Sequence, residues 1–179
     1  MITEQQFLDT ELAMGIGFHN PAFISLCNST AQIVKSLPDV KTILDYGGGT
    51  GVYSKAFQDA GFDVTYFDIY KPHNEYVKKN APTIKRSKKP ITTDLMVFIE
   101  VAEHMTDKEL ETLFKQVSPN YILFSSTSDK ADNDEEWGHI NLKEQSEWIK
   151  FWEEKGYGFV ADVYTPTPWT KLFMKKDLF

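Results

Sequence analysis

The sequence predicts an α/β protein built on a doubly wound, mostly parallel seven-stranded sheet with helices on both faces. Three observations carry that expectation. Strand-like and helix-like patterns alternate after residue 40, the order that builds parallel sheets through helical crossovers. Two runs, "DLMVFIEV" (Asp94 to Val101) and "YILFS" (Tyr121 to Ser125), are almost continuously apolar, as strands buried on both faces are. The stretch "ILDYGGGTGVYSKAF", Ile43 to Phe57, joins a short apolar strand to a helix through a turn rich in glycine.

Taken in order, residues 1–37 read as an N-terminal helical cap of two helices. They part near "GIGFHNP", where glycines and Pro21 interrupt the periodicity, and the second runs from Pro21 to Leu37. Residues 38–179 form the core, and with no linker or internal repeat the whole chain, 1–179, reads as a single domain. Lys41 to Tyr46 is the first strand, Val52 to Ala60 a helix stopped by Gly61, and Asp63 to Asp68 the second strand. A weak helix around His73 to Asn80 precedes a poor strand pattern at Thr83 to Arg86. Asp94 to Val101 is the fourth strand, and the helix Thr106 to Val117 opens with a Thr-x-x-Glu capping box, Thr106 and Glu109. After the strand Tyr121 to Ser125 comes an amphipathic helix, Leu142 to Lys155, ended by Gly156. Phe159 to Tyr164 and Lys171 to Lys175 close the chain as strands on either side of "TPTPWT".

Composition narrows the function. A formal charge of -7 disfavours a protein built around nucleic-acid affinity. Cys27 is the single cysteine, which rules out an internal disulfide and a cysteine-rich zinc site and fits a reducing cytoplasm. The opening residues carry acids and lack the basic start and apolar run of a secretory signal, and no segment reaches membrane-spanning length. A cytoplasmic protein is expected, with its oligomeric state open.

Ligands on open parallel sheets bind beyond the carboxyl ends of the strands, where the glycine turn falls. Glycine permits positive φ and lets a ligand approach main-chain N–H groups. The dinucleotide pattern Gly-x-Gly-x-x-Gly does not fit, because its last position is Val52 counted from Gly47 and Ser54 counted from Gly49. A phosphate-binding P-loop fails too: Lys55 follows Ser54, where a glycine should stand. The turn instead reads Asp-x-Gly-x-Gly-x-Gly over Asp45, Gly47, Gly49 and Gly51.

At these residues, and onward from about Thr42, the sequence resembles the class I S-adenosylmethionine-dependent methyltransferases, in particular the small-molecule and quinone-type enzymes. The resemblance implies a Rossmann-like fold with an N-terminal helical lid, S-adenosylmethionine as cofactor and S-adenosylhomocysteine as product. It assigns Asp45, Tyr46, Gly47, Gly48, Gly49 and Gly51 to the cofactor loop. Asp68, followed by Ile69, stands where the family places an acid on the ribose hydroxyls, and a carboxylate can accept from both hydroxyls of a vicinal diol. "FIEVAEHM" resembles the family's Glu-Val-x-Glu-His segment and sets Glu100 and Val101 beside the cofactor's methionine end. "GHINLKEQSEWIKFWEEKGYGF" resembles its late segment, a histidine-containing loop before a helix. Two features depart from the family. No acid follows the third strand in "TIKRSKKPITTD" before Asp94, so main chain near Arg86 to Lys88 is expected to hold the adenine. No Asn/Asp-Pro-Pro-Tyr/Phe motif occurs, which argues against amino methylation of DNA.

The expected reaction is methyl transfer to an oxygen or nitrogen of a small-molecule acceptor. His104 and His139 are the candidate bases, although a loop histidine is often only a hydrogen-bonding structural group. Glu103 is as readily a helix-start charge as a cofactor contact. Phe18, His19 and Trp137 are expected to line the acceptor pocket, with Phe23 nearby. No metal ligand is assigned: the run Asp129, Asp132, Asp134, Glu135 and Glu136 has the chemistry for Mg²⁺ but reads as a solvated loop. The basic residues Lys78, Lys79, Lys85, Arg86, Lys88 and Lys89 also read as solvated, and they keep open a nucleic-acid or phosphate-bearing acceptor. A catalytically silent cofactor-binding regulatory or partner subunit is the remaining alternative.

Overall fold

In the computed structural model residues 2–128 and 137–178 are described; the acidic run at 129–136 lies outside them. Seven strands, β1 (Thr42–Tyr46), β2 (Asp63–Phe67), β3 (Lys85–Arg86), β4 (Leu95–Ile99), β5 (Tyr121–Ser125), β6 (Tyr157–Asp162) and β7 (Lys171–Lys175), form one sheet in the order β3-β2-β1-β4-β5-β7-β6. β7 runs antiparallel to its neighbours β5 and β6, and the remaining pairs are parallel. The chain moves outward from β1 to β3 and returns to β4 beside β1, so the order reverses between β1 and β4, where such sheets open a crevice.

Strand residues divide between two cores by the period of two. On β4, Leu95 and Val97 face one side and Met96 and Phe98 the other, all buried. The first core takes Cys27, Ala31 and Val34 from α2 (Pro21–Val34) and Val52, Ala56 and Phe57 from α3 (Val52–Asp59). The second takes Leu110 and Leu113 from α5 (Asp107–Gln116) and Trp148 and Trp152 from α6 (Gln145–Glu154). The two indoles, one helical turn apart, each meet the Phe124 ring edge-on at 5.1 Å, and truncating either would cost about 3–5 kcal/mol. α4 (Lys71–Asn80) packs Val77 against Tyr66 of β2.

Helix starts follow local chemistry. Thr106 and Glu109 form the expected capping box on α5, and Thr3 with Gln6 forms another on α1 (Glu4–Ala13). α3 and α4 have no side-chain cap: the N-cap of α3, Gly51, offers no side chain, and that of α4 is Tyr70. α1 buries only Leu8 and lies against α4, where the Lys71 N–H donates to Glu4 Oε2 at 3.3 Å.

Several boundaries differ from the sequence reading. α2 stops at Val34, because residues 35–37 tighten into a turn with Ser36 and Leu37 donating to the Ile33 and Val34 carbonyls. β4 stops at Ile99, since Glu100 takes a left-handed φ of 53° that no strand continues. β3 has two residues, as its polar sequence offers no buried face. β6 starts at Tyr157 and carries a register shift between Phe159 and Ala161.

Candidate functional site

The crevice between β1 and β4 opens into a cavity of about 1080 Å³. That lies at the top of the range for ligand pockets and leaves room for more than one small molecule.

Its floor is the glycine turn. Gly47 and Gly49 have φ of 66° and 51°, the region that disfavours a side chain. An added Cβ at Gly47 would stand 2.6 Å from Val101, one at Gly48 2.6 Å from the Tyr66 ring, and one at Gly51 2.7 Å from Val77. Packing therefore demands those three, and Gly51 faces Val77 instead of lining the cavity. Gly49 differs, because a Cβ there would find only Glu11 of α1, at 3.4 Å across the cavity. The Gly47 and Gly48 N–H groups both donate to the Phe67 carbonyl, at 2.8 and 3.1 Å, which ties the turn to the end of β2.

Two carboxylates flank the turn. Asp45 on β1 is buried and accepts the Ser54 hydroxyl at 2.6 Å. Burial pushes its carboxyl up to about 6, against the pull of Ser54 and with the charge of Asp68 adding to the rise. Asp68 is half-buried; Oδ2 accepts the Gly49 N–H at 3.0 Å and Oδ1 the Tyr70 N–H at 2.8 Å. Burial holds Asp68 above the usual carboxyl range despite those amides. Each oxygen keeps a further lone pair, and Asp68 and the exposed Ile69 line the cavity together.

On the β4 side, Glu100 accepts the Trp169 indole N–H at 2.8 Å, and the buried Glu103 accepts the Ser126 hydroxyl at 2.9 Å. The two carboxyls also hydrogen-bond one another. Burial, with the Glu100 charge beside it, drives Glu103 well above the carboxyl range. The Glu103 carbonyl accepts the Ile140 and Asn141 N–H groups at 2.8 and 3.0 Å, which draws the loop from Trp137 over the site. His104 and His139 consequently meet with ring centroids 4.9 Å apart. Burial and the neighbouring His139 push His104 down to about 4, so it is neutral at pH 7, and its Nδ1 lies 3.3 Å from the Gly138 carbonyl oxygen. Phe7 of α1 closes this lobe, its ring 5.3 Å from Trp137 and 5.7 Å from His104.

The sequence reading assigned no metal ligand. The fold nevertheless gathers donor atoms of Glu103, His104 and His139 within 4.8 Å of one another, a nitrogen and oxygen set that suits a first-row divalent cation.

The structure brings together Asp45, Tyr46, Gly47, Gly48, Gly49, Asp68, Ile69, Glu100, Val101, His104, Trp137 and His139 around one cavity. Phe18 and His19 are corrections. The Asn20 side chain donates to the Gly15 carbonyl at 2.8 Å and curls this loop so that Phe18 stacks on Tyr76, 6.1 Å away, while His19 is exposed; neither lines the cavity. Arg86 to Lys88 do not reach it either, since the Ser87 N–H donates to the Tyr66 carbonyl, and Pro90 lines that end instead. The basic residues of this region are all exposed and off the cavity. Phe7, Glu11 and Met14 were missed; their i, i+4, i+7 spacing on α1 was the available signal.

These residues fit the cofactor that the motifs imply. The bare glycine turn admits a ligand against the backbone, Asp68 retains acceptor capacity for a diol, and the surrounding carboxylates suit a cation.

A family model described as "Methyltransferase domain" matches residues 22–162. No curated protein matches the chain. Among solved structures, the N-methyltransferase NodS from Bradyrhizobium japonicum WM9 is 15% identical, over 83% of this chain and 93% of that one, with a TM-score of 0.61. DesVI from Streptomyces venezuelae is 14% identical over 98% of this chain and 99% of its own, with a TM-score of 0.65. TehB from Haemophilus influenzae is 13% identical over 83% and 62%, with a TM-score of 0.59. At such identities the likeness is one of fold, whereas the family model spans most of the chain. With its glycine turn, strand order and domain match in agreement, the chain belongs to the methyltransferase domain family, the class I S-adenosylmethionine-dependent methyltransferases.

Proposed function

We propose that this methyltransferase carries the methyl group of S-adenosylmethionine to an oxygen or nitrogen of a small-molecule acceptor held between Phe7, His104, Trp137 and His139. The observation that carries the reading is the continuity of one cavity from the glycine turn to these four side chains. When bound, the cofactor supplies a methyl group on a positively charged sulfur, already activated for displacement.

The protein's part is then placement. The glycine turn and Asp68 hold the nucleoside, Ile69 and Pro90 offer apolar walls to its base, and Glu100 and Val101 border the methionine end. Phe7 and Trp137 keep water from the acceptor lobe and set the nucleophile in line, the effect that turns a bimolecular encounter into an oriented one. His104, neutral at pH 7, is able to take the acceptor's proton, with His139 beside it. A second reading has a specific observation behind it: Glu103, His104 and His139 would together hold a divalent cation, and the histidines then orient the acceptor's oxygens instead of accepting a proton.

The test is transfer of tritiated methyl from S-adenosylmethionine to a panel of phenols, amines and hydroxy acids, with tRNA and DNA alongside. Label entering a small molecule supports the reading; label entering nucleic acid alone overturns it.

A further inference from the structure

The inner face of α1 carries an acid that the cofactor-loop assignments leave out. Glu11 lies one turn after Phe7 and shares its face of the helix, toward the cavity. One carboxylate oxygen, Oε2, lies 2.6 Å from Nε2 of His73, a fully buried side chain in the first turn of α4. The other, Oε1, is turned to the glycine turn and is the nearest atom to the position of a Cβ on Gly49. Burial alone would push His73 down; the Glu11 carboxylate outweighs it and holds the imidazole above its ordinary value.

The turn offers little donor capacity toward Glu11. The Gly49 N–H is engaged by Asp68, and those of Gly47 and Gly48 by the Phe67 carbonyl. The acceptor oxygens of Glu11 and Asp68 both reach the turn at Gly49, and Glu100 lines the same cavity. A group that settles there has to donate hydrogen bonds and profits from positive charge. Asp68 stands at the end of β2, where the diol is expected, and Glu11 reaches the same turn from α1, so the two carboxylates gather negative charge around Gly49.

We propose that Glu11 is a cofactor-binding residue whose Oε1 receives the α-ammonium group at the amino-acid end of the cofactor, with His73 as the residue that positions it. This rests on the cofactor reading above and gives α1 a task within it. One carboxylate joins helix and ligand, so a bound cofactor holds α1 over the cavity and keeps Phe7 against Trp137.

Calorimetry with two ligands tests it: S-adenosylhomocysteine, and 5′-methylthioadenosine, which keeps the adenine, ribose and thioether but lacks the amino-acid end. Glu11→Gln, which retains the shape and a hydrogen bond to His73, is expected to weaken S-adenosylhomocysteine about tenfold or more and to leave methylthioadenosine within about twofold. Glu11→Asp, which keeps the charge but withdraws it by one methylene, serves as the second variant and should show the same ligand-selective loss. Equal losses for both ligands would overturn the assignment and put Glu11 on the ribose or in helix docking alone. No loss for either would remove it from the site. A wild type that binds neither ligand overturns the cofactor reading itself, an outcome visible before any variant is made.

Discussion

Asp68 Oδ2 accepts the Gly49 N–H at 3.0 Å, so the acid that ends β2 also fastens the turn that follows β1. A ligand contact and a structural bond thus share one carboxylate. Asp68→Ala should cost the empty protein about 1–3 kcal/mol by stranding the Gly49 and Tyr70 amides, and should weaken S-adenosylhomocysteine about tenfold or more. Melting with and without ligand separates the two losses. An unchanged empty-protein melt would contradict the bond to Gly49.

Gly49 and Gly61 form a natural control pair. Both hold positive φ, 51° and 101°, so a side chain strains either by about 1–2 kcal/mol. Only at Gly49 does the new side chain enter the cavity, because nothing lies within 4 Å of a Cβ at Gly61. Gly49→Val should therefore abolish S-adenosylhomocysteine binding in calorimetry, while Gly61→Ala lowers the melting temperature and leaves affinity unchanged.

Asp45 makes a pH prediction. Its folded-state value, raised to about 6 by burial, exceeds the unfolded value near 3.9. The unfolded chain then binds fewer protons between about pH 4 and 6, so stability falls across that window as pH rises. The penalty at pH 7 is up to about 3 kcal/mol. Asp45→Asn keeps an acceptor for the Ser54 hydroxyl, so relative to wild type it should gain stability from pH 4 to 6 and hold that gain at pH 7. Urea unfolding at pH 4.5 and 7 reads the difference.

His104→Ala or His139→Ala should lower methyl transfer by about 10²- to 10⁴-fold and leave S-adenosylhomocysteine affinity unchanged, since both border the acceptor lobe. Chelation followed by return of Mn²⁺ or Zn²⁺ distinguishes the two roles. Loss and recovery of activity point to the cation held with Glu103, and indifference to chelation points to the base.

The strands were legible because Leu95 to Phe98 and Ile122 to Phe124 are apolar on both faces, and the α5 start because Thr106 and Glu109 carry their own capping chemistry. The strand-to-helix turn itself was legible for the same local reason: glycines and acids at fixed spacing between β1 and α3. What the sequence hid depends on distant partners. Phe18 looked like a pocket residue until Tyr76, far along the chain, proved to hold it, and Glu11 carried no local mark of its pairing with His73. Glu103 read as readily as a helix-start charge as a cofactor contact, and its burial beneath the Ser126 hydroxyl carried no local mark. The end of β4 was hidden in the backbone, in the left-handed φ of Glu100.

Calorimetric titration of the purified wild-type chain with S-adenosylhomocysteine, and in parallel with NAD, tests the central claim most directly. Saturable one-to-one binding of S-adenosylhomocysteine and no heat from NAD is the expected result, because the glycine turn fits only the former. Saturable NAD binding with no response to S-adenosylhomocysteine would contradict it.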